Sequence, residues 1–369
     1  MSEHINKALK QLPEKATTDQ KNFLKIMGAG IPLEDRQVFD PSLFAKMALV
    51  HYDLAGKKDK GKPRLKIYCP VIKGQTKRKT IIDIVSDDLA FLIDSVAAEI
   101  NKHNLLIHLL VHPEVHVKYD KSGQMVDFSA KPQSGYKVQS HIHVQIHQTL
   151  SQEALSALEA GLYTAIEDVL IANRDWQAML EQLRIAREEL AKSKTKRPSK
   201  EIDKYCAFLD YLYNNNFTLL AYREYEFSER GGALKSKTIE GSSLGLLHDG
   251  IKPAYINEGD EGLPRNLQEL RRNLSPVSVS KTNRLSTVHR RVPMDAIAIK
   301  TYNADGSIKG EKLFLGLFTS VTYSRSVSDV PYLREKVEET IAASGFVQGS
   351  HDRKALRHIL EKYPRDELF

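Results

Sequence analysis

The stretch Met294–Ser320, MDAIAIKTYNADGSIKGEKLFLGLFTS, decides the fold. Ala296–Ile299 is an apolar run, Asn303-Ala304-Asp305-Gly306 supplies residues that tolerate positive φ, and Leu313–Phe318 is apolar again. That order spells a β-hairpin. The returning limb has apolar side chains at successive positions, so both of its faces need cover and it belongs inside a sheet. Around it, Phe217–Phe227 and Ala233–Ile239 pair across Glu229-Arg230-Gly231-Gly232, and Pro276–Lys281 is a further strand. Ile202–Tyr213, Pro331–Ala343 and His351–Glu361 have helical spacing, the last capped by Ser350. Strands in the middle and helices at the ends give an antiparallel α+β domain over 201–369.

The upstream half repeats the theme. After Asp40-Pro41-Ser42, Leu43–Leu54 has Phe44, Met47, Ala48 and His51 at helical spacing. Arg64–Pro70 and Lys79–Val85 read as strands, and a helix is expected to begin at Ser86-Asp87-Asp88 with a stripe from Leu89 to Ile100. Leu105–Lys118 and Gln139–Gln148 alternate as strands, with Asp120–Gly123 a turn between them, and a long helix runs from Leu155 to about Ala191. The expected fold is α+β, an antiparallel sheet with helices on one face, of ferredoxin-like type. The expected organisation is an arm over 1–35, a first domain over 36–191, a basic linker over 192–200 and a second domain over 201–369.

With 369 residues, 41% of them hydrophobic, two cores are expected, since single cores stop growing at about 250–300 residues. No window of about 18 apolar residues exists and MSEHINKALK lacks a signal-peptide core, so no membrane partner and a cytoplasmic location are expected. Cys69 and Cys206 are too few for a disulfide framework. The net charge of +7 raises the alternative of a stand-alone nucleic-acid-binding module. Its lysines, however, sit in short tracts, Lys57–Lys66, Lys73–Lys79 and Lys192–Lys200, with little aromatic interleaving, as solvated loops do. No nucleic-acid partner is expected.

Four stretches are candidate sites, each beside a structural alternative. His108, His112, His116, His141, His143 and His147 fall on one sheet face if the two strands pair in simple alternation. His141 and His143 are the candidate metal ligands, against a face that meets water or a neighbour, and Glu114 is the one carboxylate beside them. Gly241-Ser242-Ser243-Leu244-Gly245 has the nucleophile-elbow spacing, but Leu246–Gly250 leads to glycine and proline instead of a helix. Ser286, His289 and Arg290 in STVHRR suit an anionic effector or an edge loop. Ser86, Asp87 and Asp88 suit the amino group of a small effector or an ordinary helix cap. No glycine cluster makes a dinucleotide fingerprint, as Gly28-Ala29-Gly30 is followed by Ile31-Pro32, and no catalytic constellation is evident.

The wording DDLAFLIDSVAAEINKHNLLIHLLVHPEV (Asp87–Val115), FTLLAYREYEF (Phe217–Phe227), NRLSTVHRRVPMD (Asn283–Asp295), GEKLFLGLFTSVTYSRS (Gly310–Ser326) and GFVQGSHDRKALRHILEKYPRDELF (Gly345–Phe369) resembles the amino-terminal, non-catalytic region of the large bacterial NAD-specific glutamate dehydrogenases. The resemblance implies an ACT-type first domain and a sensor-like second domain of PAS or GAF kind. It implies a parent enzyme that uses NAD to interconvert glutamate and 2-oxoglutarate with ammonia, while this segment holds no cofactor. It further implies regulation and assembly as the segment's task, with the catalytic core and other subunits of a homo-oligomer as partners, and a small amino acid as candidate effector. A chain ending at Asp366–Phe369 reads as a fragment of that parent.

Overall fold

The computed structural model describes residues 3–31, 40–57, 63–70, 79–195, 197–230, 233–249 and 275–364. Residues 58–62 of the first basic tract, 73–78 of the second, the turn Gly231-Gly232, the loop after Asp249 and the terminal Asp366–Phe369 lie outside the described residues. The chain divides into two compact units, Met1–Leu170 with Thr287–Arg291, and Ile171–Ser286 with Val292–Phe369.

In the first unit, helices α1 (Glu3–Lys10), α2 (Thr18–Ala29) and α3 (Pro41–Ala55) precede strands β1 (Arg64–Tyr68) and β2 (Thr80–Asp87). Helix α4 (Leu92–Lys102), strands β3 (Ile107–Val111), β4 (Glu114–Tyr119), β5 (Met125–Ser129) and β6 (Lys137–Ile146), and the long helix α5 (Gln152–Lys192) follow. The sheet order is β1-β2-β6-β4-β5, with β3 also on β6, and the pairings are antiparallel. Pro113 breaks the expected strand Leu105–Lys118 in two, and both pieces line the same edge of β6. β1 takes the edge beside β2, where the fourth strand of a ferredoxin-like sheet would lie.

The expectation of helices on one face alone is corrected here. Ile81, Leu109 and Val111 pack with Phe23, Leu24 and Met27 of α2 and Phe44 and Met47 of α3, so the first three helices cover one side. The segment expected as an arm thus includes core. Ile82, Ile84, Ile142, Val144 and Ile146 point to the opposite side and are fully buried. There α4 touches β3, and α5 meets α4 where Gly161 lies against Glu99; a Cβ on that glycine would sit 1.9 Å from a Glu99 carboxylate oxygen.

The second unit takes the rest of α5, then α6 (Ser199–Tyr211), β7 (Phe217–Arg230), β8 (Ala233–Thr238), β9 (Leu244–Gly245), β10 (Val277–Leu285), β11 (Pro293–Tyr302) and β12 (Ile308–Phe318). It closes with α7 (Ser320–Ser324), α8 (Pro331–Ala343) and α9 (His351–Lys362). The order β10-β11-β12-β7-β8, with β9 on β7, places β12 between β11 and β7. The hairpin turn closes with the Asn303 amide on the Ser307 carbonyl at 2.9 Å and Gly306 at φ 82°. Met179, Leu183, Ala186 and Leu190 of α5 join Ile202 and Leu209 of α6, Ile297 and Phe314 of the sheet, and Leu333 and Ile341 of α8 in one core. Helix α5 is continuous from Gln152 to Lys192, so the division falls within it at 170/171 and not at 192–200. None of the described helices is long and apolar enough to cross a membrane.

Gly316 marks where the β12–β7 register shifts. A Cβ there would lie 2.1 Å from the Thr218 carbonyl oxygen and 2.6 Å from the Phe217 ring. Backbone cannot yield as a side-chain end can, so Gly316→Ala is expected to cost about 1–3 kcal/mol in urea unfolding, whereas the same change at the open Gly135 turn acts only through its φ of 82°.

Candidate functional site

The sheet face beneath α3 is polar although it is buried. Asp83 interrupts the apolar strand β2 at 0% exposure, and its cross-strand neighbour on β6 is His143. His51, one turn beyond Met47 on the buried stripe of α3, reaches the same place. Nδ1 of His143 lies 2.6 Å and Nδ1 of His51 2.9 Å from Asp83 Oδ1, while the Tyr68 hydroxyl donates to Oδ2 at 2.8 Å. Three donors on one carboxylate fit its ionised form. Burial alone would push the Asp83 carboxyl up, but the imidazoles of His51 and His143, by charge and hydrogen bond, hold it well below the usual range. Burial, and then the Asp83 charge, push the Tyr68 hydroxyl up, so it keeps the proton it donates.

A second layer holds this centre in place. The Gln145 amide contacts His143 Nε2 at 3.3 Å and Met47 Sδ at 3.6 Å. Arg64 donates through Nη1 to the carbonyls of Leu54, Ala55 and Lys57 at 3.2, 2.6 and 2.8 Å, satisfying the end of α3 with a cation where the helix dipole favours one. Its Nη2 reaches Tyr119 and Gln139, which hydrogen-bond each other at 2.9 Å. His141 stacks on His51 with ring centroids 5.2 Å apart, and burial first, then the neighbouring His51 and Arg64, push its imidazole well down.

The six-histidine face expected from alternation is not formed. The register slips between Ile107 and Leu109, which pairs Leu109 with Gln145 and Val111 with His143. Leu109 and Val111 therefore share the buried face with His141 and His143. His141 and His143 are covered by helix instead of meeting water or a neighbour, and the carboxylate beside them is Asp83, with Glu114 exposed at the start of β4. His108 and His147 stack on each other, centroids 3.8 Å apart. The missed signal was a lone charge inside IIDIV and a histidine on an apolar helical stripe.

The expected helix start at Ser86-Asp87-Asp88 is also corrected. Ser86 and Asp87 pair with Ser140 and Gln139, so β2 runs on, and Asp88 accepts from the Ser140 hydroxyl at 2.5 Å. Helix α4 begins after Phe91, at φ 67° and without a side-chain cap. Its first turn, not 86–88, receives the other candidate loop. The His289 amide donates to Ser95 Oγ at 2.9 Å, His289 Nδ1 lies 2.8 Å from Asp94 Oδ2, and its ring lies 4.7 Å from that of Phe91. Thr287 donates to Asp168 at 2.5 Å, and Arg290 is half-buried. Ser286 is buried, with its amide on the Val292 carbonyl at 2.9 Å. Ser243 is no elbow: it accepts from Arg223 Nε at 3.1 Å and leads into the short β9.

The second unit has a cavity of about 510 Å³ lined by Glu224, Lys300, Tyr302, Lys309, Glu311 and Lys312 among others. Lys300 Nζ and Glu311 form a buried pair at 2.8 Å across β11 and β12. Removing one member strands the other charge. Glu311→Leu alone is expected to cost about 3–5 kcal/mol, and adding Lys300→Met should restore most of it in the same unfolding assay. In the first unit, Asp83→Ala leaves three donors without an acceptor and should cost about 3–5 kcal/mol, while Tyr68→Phe should cost about 1.5–3 kcal/mol.

Residues 23–162 match the family model described as the ACT1 domain of glutamate dehydrogenase, and residues 330–369 match its helical motif 1. The NAD-specific glutamate dehydrogenase of Pseudomonas aeruginosa is 30% identical over 315 residues, 84% of this chain and 19% of that protein. That of Halomonas elongata is 28% identical over 98% of this chain and 23% of its own length, and that of Mycobacterium tuberculosis 23% identical over 78% and 17%. The chain thus spans about a fifth of the length of these relatives. A solved RNA-binding light-oxygen-voltage receptor aligns at 9% identity over 90% of this chain and 92% of its own, with a TM-score of 0.15, too low for a shared fold. With an ACT-type antiparallel unit, a matching helical motif and relatives that cover most of its length, the chain belongs to the amino-terminal region of the large NAD-specific glutamate dehydrogenase family.

Proposed function

We propose that this chain is the regulatory and assembly segment of an NAD-dependent glutamate dehydrogenase. The whole protein would convert L-glutamate, NAD and water to 2-oxoglutarate, ammonia and NADH, with NAD and the reacting groups held outside the segment. The observation that carries this is the ACT1 match over 23–162, coincident with the sheet built on β6, in a chain spanning 19% and 23% of relatives named for that activity. The protein works in the cytoplasm as a homo-oligomer, and the segment's partners are the catalytic core and other subunits. The second unit is a sensor-type domain of PAS or GAF kind. Its sheet supports this, since the first strand, β7, lies between its hairpin partner β8 and the last strand, β12. A small amino-acid effector would act at the first turn of α4, its ammonium competing with His289 for Asp94 and its carboxylate facing Arg290.

Effector binding would act by preferring one quaternary state, so the coupling lies in differential affinity. The test compares the segment with the extended protein. Glutamate-dependent NADH formation is expected from the extended protein alone, and its appearance in the 369-residue chain overturns the proposal. In a thermal-shift panel of amino acids, a native-state ligand at a hundred times its Kd adds about 2.7 kcal/mol; Asp94→Asn should remove that rise.

A further inference from the structure

We propose that His51, Asp83 and His143 form a binding site for a divalent transition cation of the zinc class. One imidazole comes from a helix, and the other imidazole and the carboxylate come from adjacent strands. Their ligand-type atoms all lie within 4.8 Å of one another, each from a buried residue. Two imidazole nitrogens and one ionised carboxylate form a borderline-soft set of the kind that holds zinc, cobalt or iron, and one that magnesium and calcium, which favour oxygen ligands, do not prefer.

Both Nδ1 atoms lie on the same oxygen, Asp83 Oδ1, at 2.6 and 2.9 Å, so the three ligand atoms are already gathered where an ion would replace the two hydrogen bonds. One feature favours a cation over a hydrogen-bonded centre alone. Close by, the wall of the centre holds polar atoms that hydrogen bonds leave unmet. Among the described residues, His51 Nε2 and both ring nitrogens of His141 are buried without a hydrogen-bond partner, with both residues at 0% exposure. A neutral imidazole in either tautomer presents one donor and one acceptor, so His141 loses both in a core where each unmet group costs about 1–3 kcal/mol. Stacked 5.2 Å from the His51 ring, His141 is the further nitrogen that a change of rotamer would bring to the cation.

Without the cation both Nδ1 atoms donate to Asp83. The cation takes each imidazole as the neutral ring with its proton on Nε2, so the Nδ1 proton moves to Nε2 in a neutral ring or leaves to water from a protonated one. An outer partner for His143 forms when the Gln145 amide turns, exchanging the bond that its Oε1 accepts from Lys79 at 3.3 Å for one from His143 Nε2. Tyr68 continues to donate to Oδ2 and orients the carboxylate. Since all three ligands are buried, the cation enters as the first unit folds and leaves only when it opens.

The 369-residue chain is unfolded with chelator, refolded with Zn²⁺ or Co²⁺, dialysed and assayed for metal. About one equivalent per chain is expected, with visible Co²⁺ absorption of imidazole–carboxylate character. His143→Ala and Asp83→Asn, where circular dichroism shows them folded, should lose about tenfold or more in affinity. His147→Ala, which alters the exposed end of the His108–His147 stack, should lose none. Should the core variants not fold, amide broadening by Co²⁺ in the unaltered chain decides: signals from Asp83 and His143 should vanish first. Folded wild-type protein without retained metal overturns the proposal. So does retention unaffected by His143→Ala, and so does loss or broadening centred on His147, which would mean an adventitious ion only.

Discussion

An ionised carboxylate at 0% exposure is the constraint on which the first unit depends. Asp83 can stay charged there because two imidazoles and a phenol point at it, and those three groups come from α3, β6 and β1. Leaving it unpaired would cost several kcal/mol, a large part of the net stability of an ordinary domain. The buried charge therefore dictates where α3 lies, and Arg64 at the end of α3 fixes the helix along the same direction. The ordinary apolar packing of Phe23, Phe44 and Met47 surrounds this polar centre without specifying it.

The second unit rests on a more familiar principle. β12 is buried on both faces, with Leu313, Phe314, Leu315, Leu317 and Phe318 all close to fully covered, so it can only be internal. That much was legible in the run LFLGLF and the Asn303–Gly306 turn, because a two-sided apolar strand and a positive-φ turn are local chemical statements. Helices α8 and α9 were equally readable, Pro331 opening one and Ser350 capping the other.

Less of the first unit's face assignment could be read. Alternation predicts which residues share a face within one strand, but pairing decides which faces of two strands coincide. A one-residue slip at Ile107/Leu109 turned the expected histidine face into a mixed one, with His143 beside Val111. The helix expected at Ser86 starts at Leu92, because cross-strand bonds from Ser140 and Gln139 hold Ser86 and Asp87 in β2, a contact 52 or more residues away in the chain that local propensity does not report. His141 and His143 were singled out from the strand pattern, yet their partners His51 and Asp83 passed as parts of a stripe and a strand. The site was half visible for that reason: its ligands are distributed over three segments, and only one segment carries two histidines together.

The Asp83 triad has one more consequence, for how the unit assembles. Its partners lie 32 and 60 residues from it along the chain, so the strand pair β2–β6 and the docked α3 must both exist before the charge is satisfied. A helix seated one turn out of place would shift His51 by about 5.4 Å and leave a naked anion under an oily lid. The centre thus proofreads the docking of α3, rejecting misassembled forms that greasy side chains alone would tolerate.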